Sequence, residues 1–216
     1  MGGNEFIGIV EARIVELRFS SSGKLINLLK RRGDLVKKSE LIASLDRKLL
    51  QMELDKQLGD FEKVRAEFEI FNLQKGEPAD DITKYLKTAK QAELNNSVKE
   101  VELAKAKLDQ ADLFSPVDGI IIDDSNLVSG IYITPSSNPI MIIDTSSYFF
   151  TFQIEQMDLE KFSSPKAMTV DLDGLSKKYS GTTKLVYSSE NGKLNVEVKL
   201  DDVSGLLLGL KGKAIF

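Results

Sequence analysis

Two long stretches of this chain place apolar residues at helical spacing on otherwise charged backgrounds. In residues 46–75, Leu50, Leu54, Leu58, Phe61, Val64, Phe68 and Phe71 recur at steps of three and four. In residues 79–112, Ile82, Leu86, Ala89, Leu94, Val98, Val101 and Leu108 form a similar but weaker row, interrupted by Asn and Lys. Both stripes are too narrow to bury a helix in a globule, so each needs a partner stripe, and the nearest is the other stretch. At 1.5 Å per residue each arm reaches roughly 45 Å. The pattern predicts a projecting antiparallel coiled-coil hairpin closed at Gly76-Glu77-Pro78, in preference to one helix kinked at Pro78. Gly76 suits a helix-closing position and Lys75 the negative end of the helix dipole. Pro78 is tolerated at a first helical position, and Asp80 and Asp81 put negative charge in the first turn of the return arm. Asp46 is the expected N-cap of the outgoing arm.

On either side of the arms the period changes. Residues 6–19 alternate loosely between apolar and polar, which reads as one or two strands. Short apolar runs follow at Leu25–Leu29, Leu35-Val36 and Leu41–Leu45, separated by turns at Ser20–Gly23, Arg31–Asp34 and Lys37–Glu40. After the arms, Phe114-Ser115-Pro116 is expected to break the return helix. Strand-like runs then resume through Ile120–Ile122, Leu127–Ile133 and Ile140–Ile143. Residues 23–45 and 114–145 therefore read as two halves of one β domain, split by an insertion at residues 46–113 whose ends lie close together. From residue 146 to 216, five strand-like runs (Tyr148–Ile154, Ala167–Leu172, Thr182–Tyr187, Leu194–Leu200, Lys213–Phe216) suggest a small barrel. Glu155–Phe162 is a candidate short helix, and residues 1–22 are expected to complete the C-terminal β module.

Composition narrows the function. Among 216 residues there is no Cys and no His, so disulfides, thiolate nucleophiles, the usual transition-metal ligands and the commonest general base are all missing. The net charge is −4 with Lys and Arg dispersed, and no basic run carries interleaved aromatics, which argues against nucleic acid. No run approaches the length of a membrane span. Met1-Gly2-Gly3 reads as an added leader, and Ala214-Ile215-Phe216 stops inside a strand-like run, as expected of a soluble part of something longer.

Three motifs, taken in order, carry a resemblance. Gly23-Lys24-Leu25-Ile26, Arg32–Lys38 and Leu41–Asp46 resemble the first half-motif of a split biotinyl/lipoyl-like domain. Ala104–Asp112 with Phe114–Ile121 resembles the second, and Gly209-Leu210-Lys211-Gly212 is similar to the glycine turn of the associated barrel. Half-motif, hairpin, half-motif and barrel is the order found in the HlyD-like membrane fusion proteins, or periplasmic adaptors. The resemblance implies an α+β multi-domain fold: a split lipoyl-like β domain, an inserted antiparallel coiled-coil α-hairpin, and a small β-barrel. Ser39 stands where the family often has Gly, and Ser115 where it often has Ala. The Arg–Leu–Ser pattern of adaptors that dock on a TolC-type outer channel is not found, since Arg65 is followed by Glu69.

The resemblance further implies a non-catalytic adaptor of a bacterial efflux or secretion complex, working with an inner-membrane, ABC-type transporter. It implies a homo-oligomer in the extracytoplasmic envelope, anchored through a segment outside this sequence. A structural coiled-coil or adhesion protein of the cell envelope is the alternative. No cofactor is implied: a swinging-arm carrier would need a lysine on a tight turn at the midpoint, which the arms occupy. Asp123-Asp124, Asp201-Asp202 and Asp171-Leu172-Asp173-Gly174 read as turn chemistry rather than calcium loops. Arg31-Arg32 and Lys37-Lys38 read as solvated loops. The candidate partner-binding residues are those of the tip, Lys75, Gly76, Glu77, Pro78, Asp80 and Asp81, because a tip buries little and loops on a rigid scaffold commonly carry function. Flexible joints are expected near Leu45-Asp46 and Phe114–Pro116.

Overall fold

A computed structural model describes residues 5–76, 80–187 and 194–215. Glu77 and Pro78, the expected turn at 189–192, Met1–Gly3 and Phe216 lie outside these.

The C-terminal part is a closed six-stranded antiparallel barrel. Its strands are β1 (Glu5–Glu11), β10 (Phe149–Ile154), β11 (Ala167–Leu172), β12 (Lys178–Tyr187), β13 (Leu194–Leu200) and β14 (Lys211–Ile215), in the order β1-β10-β13-β12-β11-β14. Alternation fills it. Val10, Phe150, Phe152, Met168, Val170, Val196, Val198 and Ala214 point inward, while residues such as Lys199 and Lys213 remain outside. A 3-10 helix, Gln156–Phe162, covers one part of the core, and Phe162 stacks edge-on against Phe152 at 5.6 Å. The ends of two expected strands move. β12 starts at Lys178 rather than Thr182, and β14 starts at Lys211, two residues past the Gly209 turn.

The remaining strands form two four-stranded sheets: β2 (Ile14–Leu17), β9 (Ile140–Asp144), β7 (Gly119–Asp123) and β4 (Leu35-Val36) in one, and β6 (Asp112–Phe114), β5 (Leu41–Leu45), β3 (Gly23–Leu28) and β8 (Tyr132-Ile133) in the other. Each sheet mixes strands from before and after the helices. Their shared core joins Leu25, Ile42, Ala43 and Leu45 to Ile121, Ile133, Ile140 and Ile142. Gly119 lets β7 approach β9: a Cβ there would stand 2.2 Å from the Ile143 carbonyl oxygen.

Two expectations need correcting here. Residues 1–22 do not all join the barrel, because Ala12 and Arg13 break the strand and β2 pairs with β9 instead. Leu17 and Phe19 then pack into the split core. The return helix also does not run to Ser115-Pro116. It ends at Asp109, and Asp112–Phe114 is already strand, paired with β5.

The helices are α1 (Lys48–Lys75, 28 residues) and α2 (Asp81–Asp109, 29 residues), and their only extensive packing is against each other. The expected loose joints at their roots are braced. Arg47 and Asp112 form an ion pair at 2.8 Å across the two roots, and the Leu45 and Asp46 amides donate to Ala111 and Lys24 carbonyls. Ser115 is buried, its amide donating to Glu40 and its carbonyl accepting from Ser39. Asp46 caps α1 by accepting from the Lys48 amide, although the residue before the helix is Arg47, one position on.

Candidate functional site at the far end of the hairpin

The seam between the helices follows a strict alternation of four and three. On α1 it is Leu50, Leu54, Gln57, Phe61, Val64, Phe68 and Phe71, and on α2 Thr83, Lys87, Lys90, Leu94, Ser97, Val101, Ala104 and Leu108, all buried or half-buried. That is the 3.5-residue period of a coiled coil. Lys90 contacts Glu67 at 3.3 Å across the helices and so fixes the register. In that register Leu50 faces Leu108, Leu54 faces Ala104 and Phe61 faces Ser97, each larger residue opposite an equal or smaller one. Towards the far end the seam positions are Phe68 and Phe71 on α1 and Lys90 and Lys87 on α2, with the Lys90 ammonium bonded to Glu67 and Glu93.

This differs from the expected rows. Leu58 is exposed and Gln57 takes its place. On α2 the expected Ile82, Leu86, Ala89 and Val98 lie outside the seam, with Ile82 73 % exposed. The root half of α2 turns its apolar face to α1 and the distal half turns it outward. Counting back from Leu108 in alternating steps of four and three reaches Lys90, Lys87 and Thr83, a signal the sequence did contain.

The tip residues are distributed as follows. Lys75 ends α1, and Gly76 follows at φ 59° and ψ −142°, a conformation natural to glycine, with its amide donating to the Asn72 carbonyl. Asp80 is not in the first turn. It is the N-cap of α2, accepting from the Thr83 amide at 2.7 Å, and that bond holds its carboxyl below the usual aspartate value. Asp81 is the first helical residue and exposed. Glu77 and Pro78 lie outside the described residues. Beside these charges stands an apolar group that the sequence reading missed as surface: Ile70, Leu73, Ile82, Tyr85 and Leu86, with Leu73 87 % and Tyr85 72 % exposed. Arg65 is engaged along its own helix, with Glu69 at 3.5 Å and over the Phe61 ring at 6.0 Å.

The other polar clusters are braces. The Lys38 amide donates to Asp118, which ties the two half-motifs together, and Lys30 holds Glu40 at 2.7 Å and its carboxyl below the usual value. Asp123 and Asp124 accept from the amides of Ser125 and Asn126 within their own turn.

A barrel, a two-sheet domain built from both flanks of a helical insertion, and a hairpin packed chiefly on itself together decide the fold. The chain has the membrane fusion protein fold. A membrane fusion protein of Streptococcus pneumoniae superposes with a TM-score of 0.77 at 15 % identity, over 98 % of this chain and 97 % of that one. A MacA–MexA chimera carrying the Pseudomonas aeruginosa MexA α-hairpin domain gives 0.79 at 18 %, over 99 % and 82 %. A candidate efflux transporter from Bacteroides eggerthii gives 0.76 at 20 %, over 98 % and 67 %. No protein-family model and no curated protein sequence matches the chain. Among the described residues no helix of this membrane fusion protein fold is long and apolar enough to cross a membrane.

Proposed function

We propose that this chain is a non-catalytic adaptor of a bacterial efflux or secretion complex. It works outside the cytoplasm, held at the membrane by a segment beyond this sequence, with an inner-membrane transporter of the ABC type as partner. The observation that carries the reading is the hairpin. It is a braced rod, about 42 Å long at 1.5 Å per residue, that among the described residues packs chiefly along its own seam and carries exposed Leu73, Ile82 and Tyr85 at its end. Apart from Leu50 at its root, which packs against the split core, the rod contributes no described side chain to the cores of the β domains. Support comes from the three similar folds, which include a membrane fusion protein and a candidate efflux transporter. The two-sheet domain, to which β2 and β6 add strands beyond residues 23–45 and 114–145, acts as the spacer. The tip residues Lys75, Gly76, Asp80 and Asp81, with Glu77 and Pro78 between them, mark the partner end. The ABC-type choice follows from the tip, where Arg65 pairs with Glu69 in place of the TolC-docking pattern.

The test uses the full-length parent protein in its own host. Deleting the gene should sensitise cells to, or block export of, at least one compound, and the wild-type chain should restore it. A chain with Lys75–Asp81 replaced by a neutral loop should reach the same abundance without restoring transport. Transport restored by that variant overturns the tip as partner end. Affinity capture that returns envelope coiled-coil proteins and no permease favours the structural alternative.

A further inference from the structure

The distal half of α2 carries two rows of heptad spacing, one residue apart. Thr83, Lys87 and Lys90 occupy the seam, while Ile82, Leu86 and Ala89, at the same spacing but one residue earlier, face solvent. One residue is about 100° of helix rotation. The seam side of α1 here is Phe68 and Phe71, aromatic surfaces that suit Leu86 and Ala89 better than lysine stems. Nearby, Asn72 Oδ1 is shut from solvent without a partner. The two phases diverge just before Asn95-Asn96-Ser97, all weak helix formers, and Ser97 Oγ donates to the Leu94 carbonyl at 2.8 Å, a side-chain bond that competes with the helix ladder. Across the helices the described phase is held by the Lys90–Glu67 pair at 3.3 Å, while Glu93, 3.0 Å from the same ammonium, lies on α2 and turns with it.

We propose that the distal half of α2 is a two-position element that rolls by about 100°, with Leu94–Ser97 as its pivot. In one position Ile82, Tyr85, Leu86 and Ala89 are displayed. In the other, Ile82, Leu86 and Ala89 turn onto Phe68 and Phe71, and Thr83, Lys87 and Lys90 face water. The roll controls access to the apolar group at the partner end, so it rests on the proposed function for its purpose. A partner that binds this group selects the displayed position. Without one, the chain exchanges between the two positions.

The absence of cysteine lets introduced pairs report alone. In the purified chain without any partner, Phe71→Cys is combined with Lys87→Cys (displayed position), Leu86→Cys (rolled position) or Tyr85→Cys (outward in the displayed position and off the seam in the rolled one). Under mild oxidation the 71–87 and 71–86 disulfides should form at rates within about tenfold of each other, and 71–85 much more slowly. A 71–86 rate no higher than 71–85 overturns the roll. A second measurement keeps Phe71. Maleimide labelling of the single variant Leu86→Cys should speed up about twofold when Lys87→Leu and Lys90→Leu lock the displayed position, as two comparably populated positions collapse to one, and unchanged labelling overturns the roll. Neither readout contains a partner, so failure here leaves the adaptor reading standing, and failure of the transport test leaves the roll standing.

Discussion

Ser39 has φ 65°, in the left-handed region where an L side chain costs roughly 1–2 kcal/mol. The split-domain resemblance places Gly at this position, and the geometry supplies the reason: the turn needs a positive φ whichever residue fills it. Ser39→Gly should therefore stabilise the fold by up to about 1 kcal/mol, the relief partly offset by glycine's greater entropy in the unfolded chain. Urea unfolding followed by near-ultraviolet dichroism checks it. A second residue-scale expectation concerns Asp202, which lies against Lys177, accepts from the Ser204 amide and is held far below the ordinary aspartate range. A carboxyl depressed in the folded state adds stability above its unfolded pKa, and that stability is lost as pH falls through the folded value. Asp202→Asn should then lower the thermal midpoint at pH 7. The gap to wild type should shrink only below about pH 4, where aspartates begin to protonate.

At the scale of elements, the two arms show what periodicity reveals and where it misleads. The outgoing arm was legible because its apolar residues and its seam coincide at every position except Leu58, which Gln57 replaces. The return arm was legible in its root half, Val98 excepted, where Ser97 takes the seam. Beyond Leu94 its apolar residues and its seam separate, because a scattered exposed apolar residue such as Ile82 is tolerated in water and a long lysine side chain can half-bury its stem at a seam position. Strand existence was readable from alternation, but strand ends were not: β12 gains four residues at its start because polar Lys178 and Ser180 on the barrel exterior carry no hydrophobic signal. The tip illustrates the same limit, since Asp80 looks like a free charge in sequence and is a helix cap in space. An element-level outcome follows. Lys87→Leu with Lys90→Leu places leucines opposite Phe71 and Phe68, and should raise the midpoint of the helical transition seen at 222 nm while leaving near-ultraviolet signals of the barrel unchanged.

For the molecule as a whole, the decisive strand is β9. Ile140 and Ile142 face the split core, while Ile143 belongs to the barrel core, where Ala12 and Ile122 join it. Ile142→Ala and Ile143→Ala should each cost about 2–5 kcal/mol as large-to-small core changes. Hydrogen exchange should separate them: the first should loosen Leu25 and Ile121 amides first, the second those of Phe150 and Val198. Loss of protection in the same body for both variants contradicts this division of the strand.

Because consecutive side chains of one strand serve as the floor of one body and the wall of another, the molecule resembles a lever welded at its fulcrum more than one turning on a pin. A sideways push on the rod would be delivered through the Arg47–Asp112 clasp into the sheets. It would then arrive as shear along β9, so the barrel would feel a load applied tens of ångströms away.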